Sequence, residues 1–403
     1  VWGATGFTGK YIAEYLLREG PQNLKFAIAG RNKSKLIATQ ESLGESYPNA
    51  LKLPLIIADS ANDDLLQAMA RQSRVVISTV GPFLQYGEPL VRACAQEGTD
   101  YVDITGEAIW VKLMAAKYHD LAVRNQALIV SCCGFDSIPS DLGVFMVVDY
   151  IKKRYGKDTG AVKGSMVQLK GGLSGGTLAS AVESISNGDN HMKQLARISK
   201  DSKPKQPRPK NMPGAPSKYP VYFDNDFGKW QGFFFMAPTN TSVVRSSSHN
   251  RNYGPLFRYD ESLSFKSAWS STTTTLGLIF AYFMVKFSPT RWLLMKFLPA
   301  PGEGPSRADI EKGHFTHRVV GQAAPAPERA YAEVVGTSDP GYGETIKYVA
   351  ESALCLAFNR EQVAAEGGVL SPAAAMGEAL LTRFRQKGMR FTVSNEPFLK
   401  AKI

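Results

Sequence analysis

Three glycines open the chain at three-residue spacing: Gly3, Gly6 and Gly9, in VWGATGFTGK. A helical pattern follows at once, with Ile12, Leu16 and Leu17 apolar, Glu14 and Arg18 polar, and Gly20 as a stop. Strand, tight turn and helix in that order make a cradle for a pyrophosphate. The first glycine lets the chain turn, the second leaves backbone N–H groups open to phosphate oxygens, and the third lets the helix sit close on the sheet. The positive end of the helix then faces the phosphates. Thr5, Phe7 and Thr8, between the glycines, join them as candidate contacts. The spacing is GxxGxxG rather than the commoner GxGxxG, and an ordinary glycine-rich turn is the alternative.

Residues 25–29 read as a second strand ending at Gly30-Arg31-Asn32. A site for NAD usually puts Asp or Glu at this strand end to hold the ribose 2′-hydroxyl, and a site for NADP puts a cation there for the 2′-phosphate. No acid stands here; Arg31 does, with Lys33 and Lys35 at the start of the next helix. A dianionic phosphate beside an arginine gains a charge-assisted contact. The pattern favours NADP over NAD, a solvated Arg31 being the alternative. Residues 53–58 form a third strand, and Asp59 at its end is placed to touch the adenine.

Residues 74–80 form a fourth strand ending in Gly81-Pro82-Phe83. Ligands of a doubly wound sheet lie outside the carboxyl ends of its strands, so Gly81 and Pro82 belong over the nicotinamide half. Hydride transfer asks of the protein positioning, a dry site and a proton donor or acceptor near the reacting carbon. Candidates for that proton are Tyr86, Asp103, Glu107 and Asp136, each at or past a strand end facing the same cleft. A carboxyl doing acid work at neutral pH needs its pKa raised by burial. Each has a structural alternative: Asp136 or Asp141 can cap a helix, and Glu107 can pair with a lysine. The short-chain-reductase pattern Tyr-x-x-x-Lys is absent from its expected place, since Tyr118 and Tyr348 lack the lysine.

The elements that hold these residues follow from periodicity. Helical patterns over 62–71, 89–97 and 110–125 alternate with strands at 101–103 and 128–131, as in a parallel doubly wound sheet. A chain of 403 residues calls for two domains. The expected fold is α/β, an N-terminal Rossmann sheet with a second α+β domain. Residues 1–139 form the first, 140–370 a substrate or oligomerisation domain, and 371–403 a C-terminal helix and strand. In the second domain a strand at 162–170 leads into GGLSGGT (171–177) and a helix at 178–187. Those glycines are either a second anion pocket or close packing. Strands at 315–323, 329–336 and 389–393 and helices at 344–358 and 371–387 complete it.

A net charge of +11 favours anionic partners, but no nucleic-acid-binding motif stands out. The four cysteines show no metal-ligand spacing, and reduced thiols in an intracellular protein are expected. The chain opens at Val1, already inside a strand, so that strand is expected to be truncated and any upstream targeting segment unseen. Residues 200–220, rich in Pro and Lys, read as a surface loop. Residues 276–298 (LGLIFAYFMVKFSPTRWLLMKFL) interleave aliphatic, aromatic and cationic side chains. That suits a helix pair lying in a membrane interface with its cations snorkelling to headgroups. A buried helical hairpin, an apolar contact in a homodimer and a membrane span are the alternatives.

Motifs along the whole chain resemble the saccharopine dehydrogenase-like oxidoreductases, a family that includes trans-acting enoyl reductases and lipid-droplet homologues. They are GATGFTG (3–9), AGR (29–31), STVGPF (78–83), YGEPLVRAC (86–94), YVDITGE (101–107), GFDSIPSD (134–141), GGLSGGT (171–177), PGEGP (301–305) and DPGY (339–342). The resemblance implies an NAD(P)-binding domain fused to an α+β domain, often at a membrane or lipid droplet. It does not imply saccharopine as substrate. Two readings follow: an NADP-dependent reductase of a lipid-like or other apolar substrate at a membrane surface, or a non-catalytic cofactor-binding scaffold there.

Overall fold

The computed structural model describes residues 1–171, 182, 185–186, 192–196, 219–295, 304–325 and 327–398. Strands β1 (Ile28–Gly30), β2 (Leu55–Ile57), β3 (Val75–Ser78), β4 (Asp100–Asp103) and β5 (Leu128–Val130) are short, and β3 to β5 are mostly buried. Burial on both faces explains why they read as continuous apolar runs. All pair in parallel. The strand expected at the chain start is reduced to Trp2, which bridges Ala29 on one side and Ser78 on the other. Trp2 thereby joins two halves into the order β2-β1-Trp2-β3-β4-β5, that of a dinucleotide-binding sheet. Its indole is buried and donates to the Ala58 carbonyl at 3.2 Å.

The second sheet has seven strands. β6 (Asp158–Lys170), β7 (Tyr222–Asp224), β8 (Lys229–Gly232), β9 (Arg258–Phe265), β10 (His314–Ala324), β11 (Arg329–Gly336) and β13 (Arg390–Ser394) run in the order β13-β11-β10-β6-β9-β8-β7. The three-residue β12 (Gly368–Leu370) leaves this domain and pairs with β5 in the first sheet. So short, and opening on Gly368 behind Gly367, it shows no periodicity in the sequence. The chain therefore returns to the cofactor sheet just where the second domain was expected to end.

The helix Ile138–Tyr155 couples the sheets. Pro139 suits its first turn, Lys152, Lys153 and Arg154 suit its negative end, and left-handed Gly156 stops it. One apolar cluster runs from Ile77 and Val102 of the first sheet through Ile138 and Leu142 to Val319 and Val334 of the second. The helix α1 (Phe7–Glu19) is tied to the second domain by Glu351. This fully buried carboxylate accepts from the Tyr15 hydroxyl at 2.8 Å and from Arg383. The helix expected over 371–387 is two, Pro372–Ala375 and Gly377–Gln386. The Arg251 guanidinium fills the space beside Gly377 at the break.

The apolar segment is not a buried hairpin. It forms helices Ala268–Lys286 and Ser288–Met295, and the first is amphipathic the wrong way round. Its inward face is polar: Ser271 donates to the Gln231 carbonyl at 2.9 Å, and Thr275 accepts from the Phe233 N–H at 3.2 Å. Leu276, Phe280 and Phe283 point outward, 61 to 66% exposed. Among the described residues no helix is long and apolar enough to cross a membrane. The glycines of 172–177, most of 178–187, the loop 200–218 and the apolar segment past 295 lie outside the described residues.

Candidate active site

The glycine turn has the geometry its residue types demand. Gly3 lies at φ 87°, and a Cβ there would stand 2.5 Å from Thr79 Oγ1. A Cβ on Gly9 would stand 2.2 Å from the Gly3 carbonyl oxygen, so α1 closes tightly on the turn. Gly6 caps α1 without any side-chain hydrogen bond. The first-turn N–H groups of Phe7, Thr8 and Gly9 have no acceptor within the helix. Thr5 and Gly6 are exposed on the rim. That is a cradle for a pyrophosphate.

At the end of β1, Arg31, Lys33 and Lys35 are all exposed. Their side chains make no hydrogen bond or ion pair with any described residue; the Lys35 N–H alone donates, to Asn32 Oδ1. Thr5 lies 3.8 Å from where a Cβ on Gly30 would stand, so these cations sit beside the glycine turn. Three uncommitted cations at that strand end fit a 2′-phosphate. The Asp59 carboxylate accepts from the Ala61 N–H at 3.0 Å and shapes the turn after β2.

The four proton candidates part company. Glu107 is buried and accepts from the N–H groups of Phe83 and Leu84 at 2.9 and 2.8 Å. It caps the short helix Phe83–Tyr86 and so holds Gly81 and Pro82 in place. Tyr86 lies on that helix, 42% exposed. Asp103 is fully buried; its Oδ1 accepts from the N–H groups of Thr105 and Cys132 at 2.9 and 3.0 Å, and the Ser131 and Tyr101 hydroxyls lie beside its carboxyl. Burial pushes its carboxyl up to about 6. Asp136 is partly exposed, yet enough protein surrounds it to push its carboxyl also up to about 6. No described residue binds or pairs with it. Its Oδ2 lies 3.3 Å from where a Cβ on Gly106 would stand, past the end of β4. Neither Asp136 nor Asp141 caps the helix Ile138–Tyr155; Ser137 holds that position. Asp141 is buried, accepts from Ser247 and from the Ala373 N–H, and is pushed up to about 7, first by burial.

Motifs from the second domain close over the turn. The Phe7 ring meets Tyr342 edge-on at 4.7 Å, and a Cβ on Gly304 would stand 2.8 Å from the same ring. A Cβ on Gly171 would meet Asp339 and Pro340 at 2.5 Å. Thr345 accepts from the Phe135 N–H at 3.1 Å, beside Asp136. Tyr342 and Thr345 were not among the sequence-derived site residues, though the DPGY motif carried the signal for Tyr342.

Residues 1–130 match the family model of the saccharopine dehydrogenase NADP binding domain. A Mycobacterium tuberculosis (strain ATCC 25618 / H37Rv) protein described as a candidate trans-acting enoyl reductase is 37% identical, over 96% of this chain and 95% of its own. The trans-acting enoyl reductase of Mycobacterium leprae (strain TN) is 35% identical over 96% of each chain. The chain also resembles in fold the apo saccharopine dehydrogenase (L-Glu forming) of Saccharomyces cerevisiae, with a TM-score of 0.55 at 11% identity over 98% of each chain.

Proposed function

The chain belongs to the saccharopine dehydrogenase-like family, in the branch of the trans-acting enoyl reductases, and from that premise we propose an NADP-dependent reductase of a carbon–carbon double bond in an apolar, lipid-like substrate. Its cofactor is NADP, held by the turn 3–9 and by Arg31, Lys33 and Lys35. When bound, the cofactor supplies the hydride. Glu107 fixes the Gly81-Pro82 turn over the reacting end, and the closing motifs around Tyr342 and Thr345 keep water out. Asp136 supplies the proton that completes addition across the double bond. The observation that carries this assignment is a partly exposed carboxyl, raised to about 6, that pairs with no described residue and lies beside Gly106 just past the end of β4.

The proposal places the reaction at a membrane or lipid-droplet surface. Its support is the outward apolar face of Ala268–Lys286, with exposed Lys266 and Lys286 at its ends and a net charge of +11. The test is NADPH oxidation with 2-enoyl thioesters of short and long chain, together with flotation on acidic liposomes. Faster turnover of long chains and co-flotation are expected. NADPH binding without turnover of any enoyl thioester would overturn the reductase assignment.

A further inference from the structure

Strand β8 ends at Gly232, and the next four residues are Phe233-Phe234-Phe235-Met236. Both ends of this segment are fixed. A Cβ on Gly232 would stand 2.6 Å from Ser271 Oγ and 2.8 Å from Thr275 Oγ1, so the inverted helix Ala268–Lys286 sits directly on the chain there. The Phe233 N–H donates to Thr275. At the far end the Asn240 N–H donates to the Met236 carbonyl at 3.0 Å, and Thr239 donates to the Gly106 carbonyl at 2.8 Å. Between these ends the side chains alternate. Phe234 and Met236 are buried, whereas Phe233 and Phe235 are 41% and 39% exposed.

The two ends meet sites of different kinds. Thr275 is followed by Leu276, where the outward apolar face of Ala268–Lys286 begins. Met236 Cε lies 3.5 Å from where a Cβ on Gly106 would stand, and Asp136 Oδ2 lies 3.3 Å from the same point. From Phe233 to Met236 the chain spans at most about 11 Å. Exposed aromatic rings continuous with a larger apolar face mark a contact with an apolar partner. We infer that Phe233, Phe235 and Met236 form the path along which the apolar chain of the substrate passes from the outward face of Ala268–Lys286 to Asp136. The inference rests on the reductase reading for the chemistry at the end of that path. The occupant is a single extended chain and not the bilayer, because the path narrows to a buried methionine beside a carboxyl. The flexible thioether of Met236 suits chains of differing shape.

The probe is palmitate carrying a diazirine at its far end, dissolved in acidic liposomes and photolysed with the NADPH-loaded protein. Label is expected on the peptides that contain residues 233–236 and residue 136. In a variant carrying both Phe233→Ser and Phe235→Ser, label at residue 136 should be lost while flotation on the liposomes persists. In the same variant the ratio of kcat/KM for a liposome-borne long-chain 2-enoyl thioester to that for a soluble short-chain one should fall about tenfold. Wild-type NADPH affinity shows that the variant is folded, and Phe235→Ser alone replaces it where it is not. An unchanged ratio, or label absent from both peptides in wild type, would overturn the inference. So would loss of flotation in the variant, which would make the two rings part of the membrane anchor. Label at both places, with no enoyl thioester ever reduced, would leave the path standing and remove the reductase reading. Turnover of long chains with no label there would do the reverse.

Discussion

The Asp136→Asn substitution should separate chemistry from stability in one protein. Asp136 has a folded pKa of about 6 against an ordinary 3.8, and its only cause is burial. Because the folded value is the higher one, the group favours the native state fully below pH 4. That contribution is lost as pH rises through 6, where the native carboxyl must ionise in a poorly solvating place. The full difference corresponds to about 3 kcal/mol at most above pH 7. Asparagine removes the charge and breaks no hydrogen bond or ion pair with any described residue. The variant should thus equal wild type in stability near pH 4 and exceed it at pH 8, by a few degrees in Tm. As the lost proton donor it should turn over about a hundredfold or more slowly. Wild-type kcat/KM should fall as pH rises past about 6, and the variant should lack that limb. Thermal melts at pH 4 and 8 and a pH–rate profile check both halves. A variant with wild-type turnover would refute the catalytic assignment, and one less stable at pH 8 would refute the electrostatic reasoning.

Arg31→Glu should weaken NADPH about tenfold to a hundredfold and leave NADH nearly unchanged, read by cofactor fluorescence, because a charge-assisted contact to the 2′-phosphate becomes a repulsion. Glu351→Gln should cost about 3 kcal/mol in urea unfolding, since it leaves Arg383 facing a neutral partner in a buried pair and weakens the Tyr15 tie between domains. Phe280→Asp with Phe283→Asp should abolish flotation on acidic liposomes without lowering Tm, because both rings are at least 63% exposed and the ring that Phe283 meets, Tyr282, is itself exposed.

Much of the first sheet was legible because buried parallel strands are apolar runs and each ends at a turn whose residues have a fixed use. Gly3, Gly9 and Arg31 are of that kind: their chemistry is set by neighbours close in the chain. The long strands β10 and β11 were legible as runs with paired valines, buried over most of their length. β12 was not, since three residues after Gly367, the first of them a glycine, leave no period to read. The inverted helix was misread in one alternative for a sharper reason. An apolar run says only that those side chains avoid water, and Ser271 and Thr275 decide which face meets the protein.

The carboxylates show where sequence reading stops and why. Asp103, Glu107, Asp136 and Asp141 all follow strand ends near one cleft, and composition treats them alike. Their roles diverge through partners distant in the chain. Glu107 meets the orphan N–H groups of residues 83 and 84, and Asp141 meets Ser247 and the first turn of the helix Pro372–Ala375. Each of those two resolves a buried helix end and is thereby committed. Asp103 pins the backbone at Thr105 and Cys132 with one oxygen and keeps the other inside the core. Asp136 alone of these four combines partial exposure with no bond to any described residue. A proton donor must be both reachable and uncommitted, so the assignment is made by what the other three are already holding.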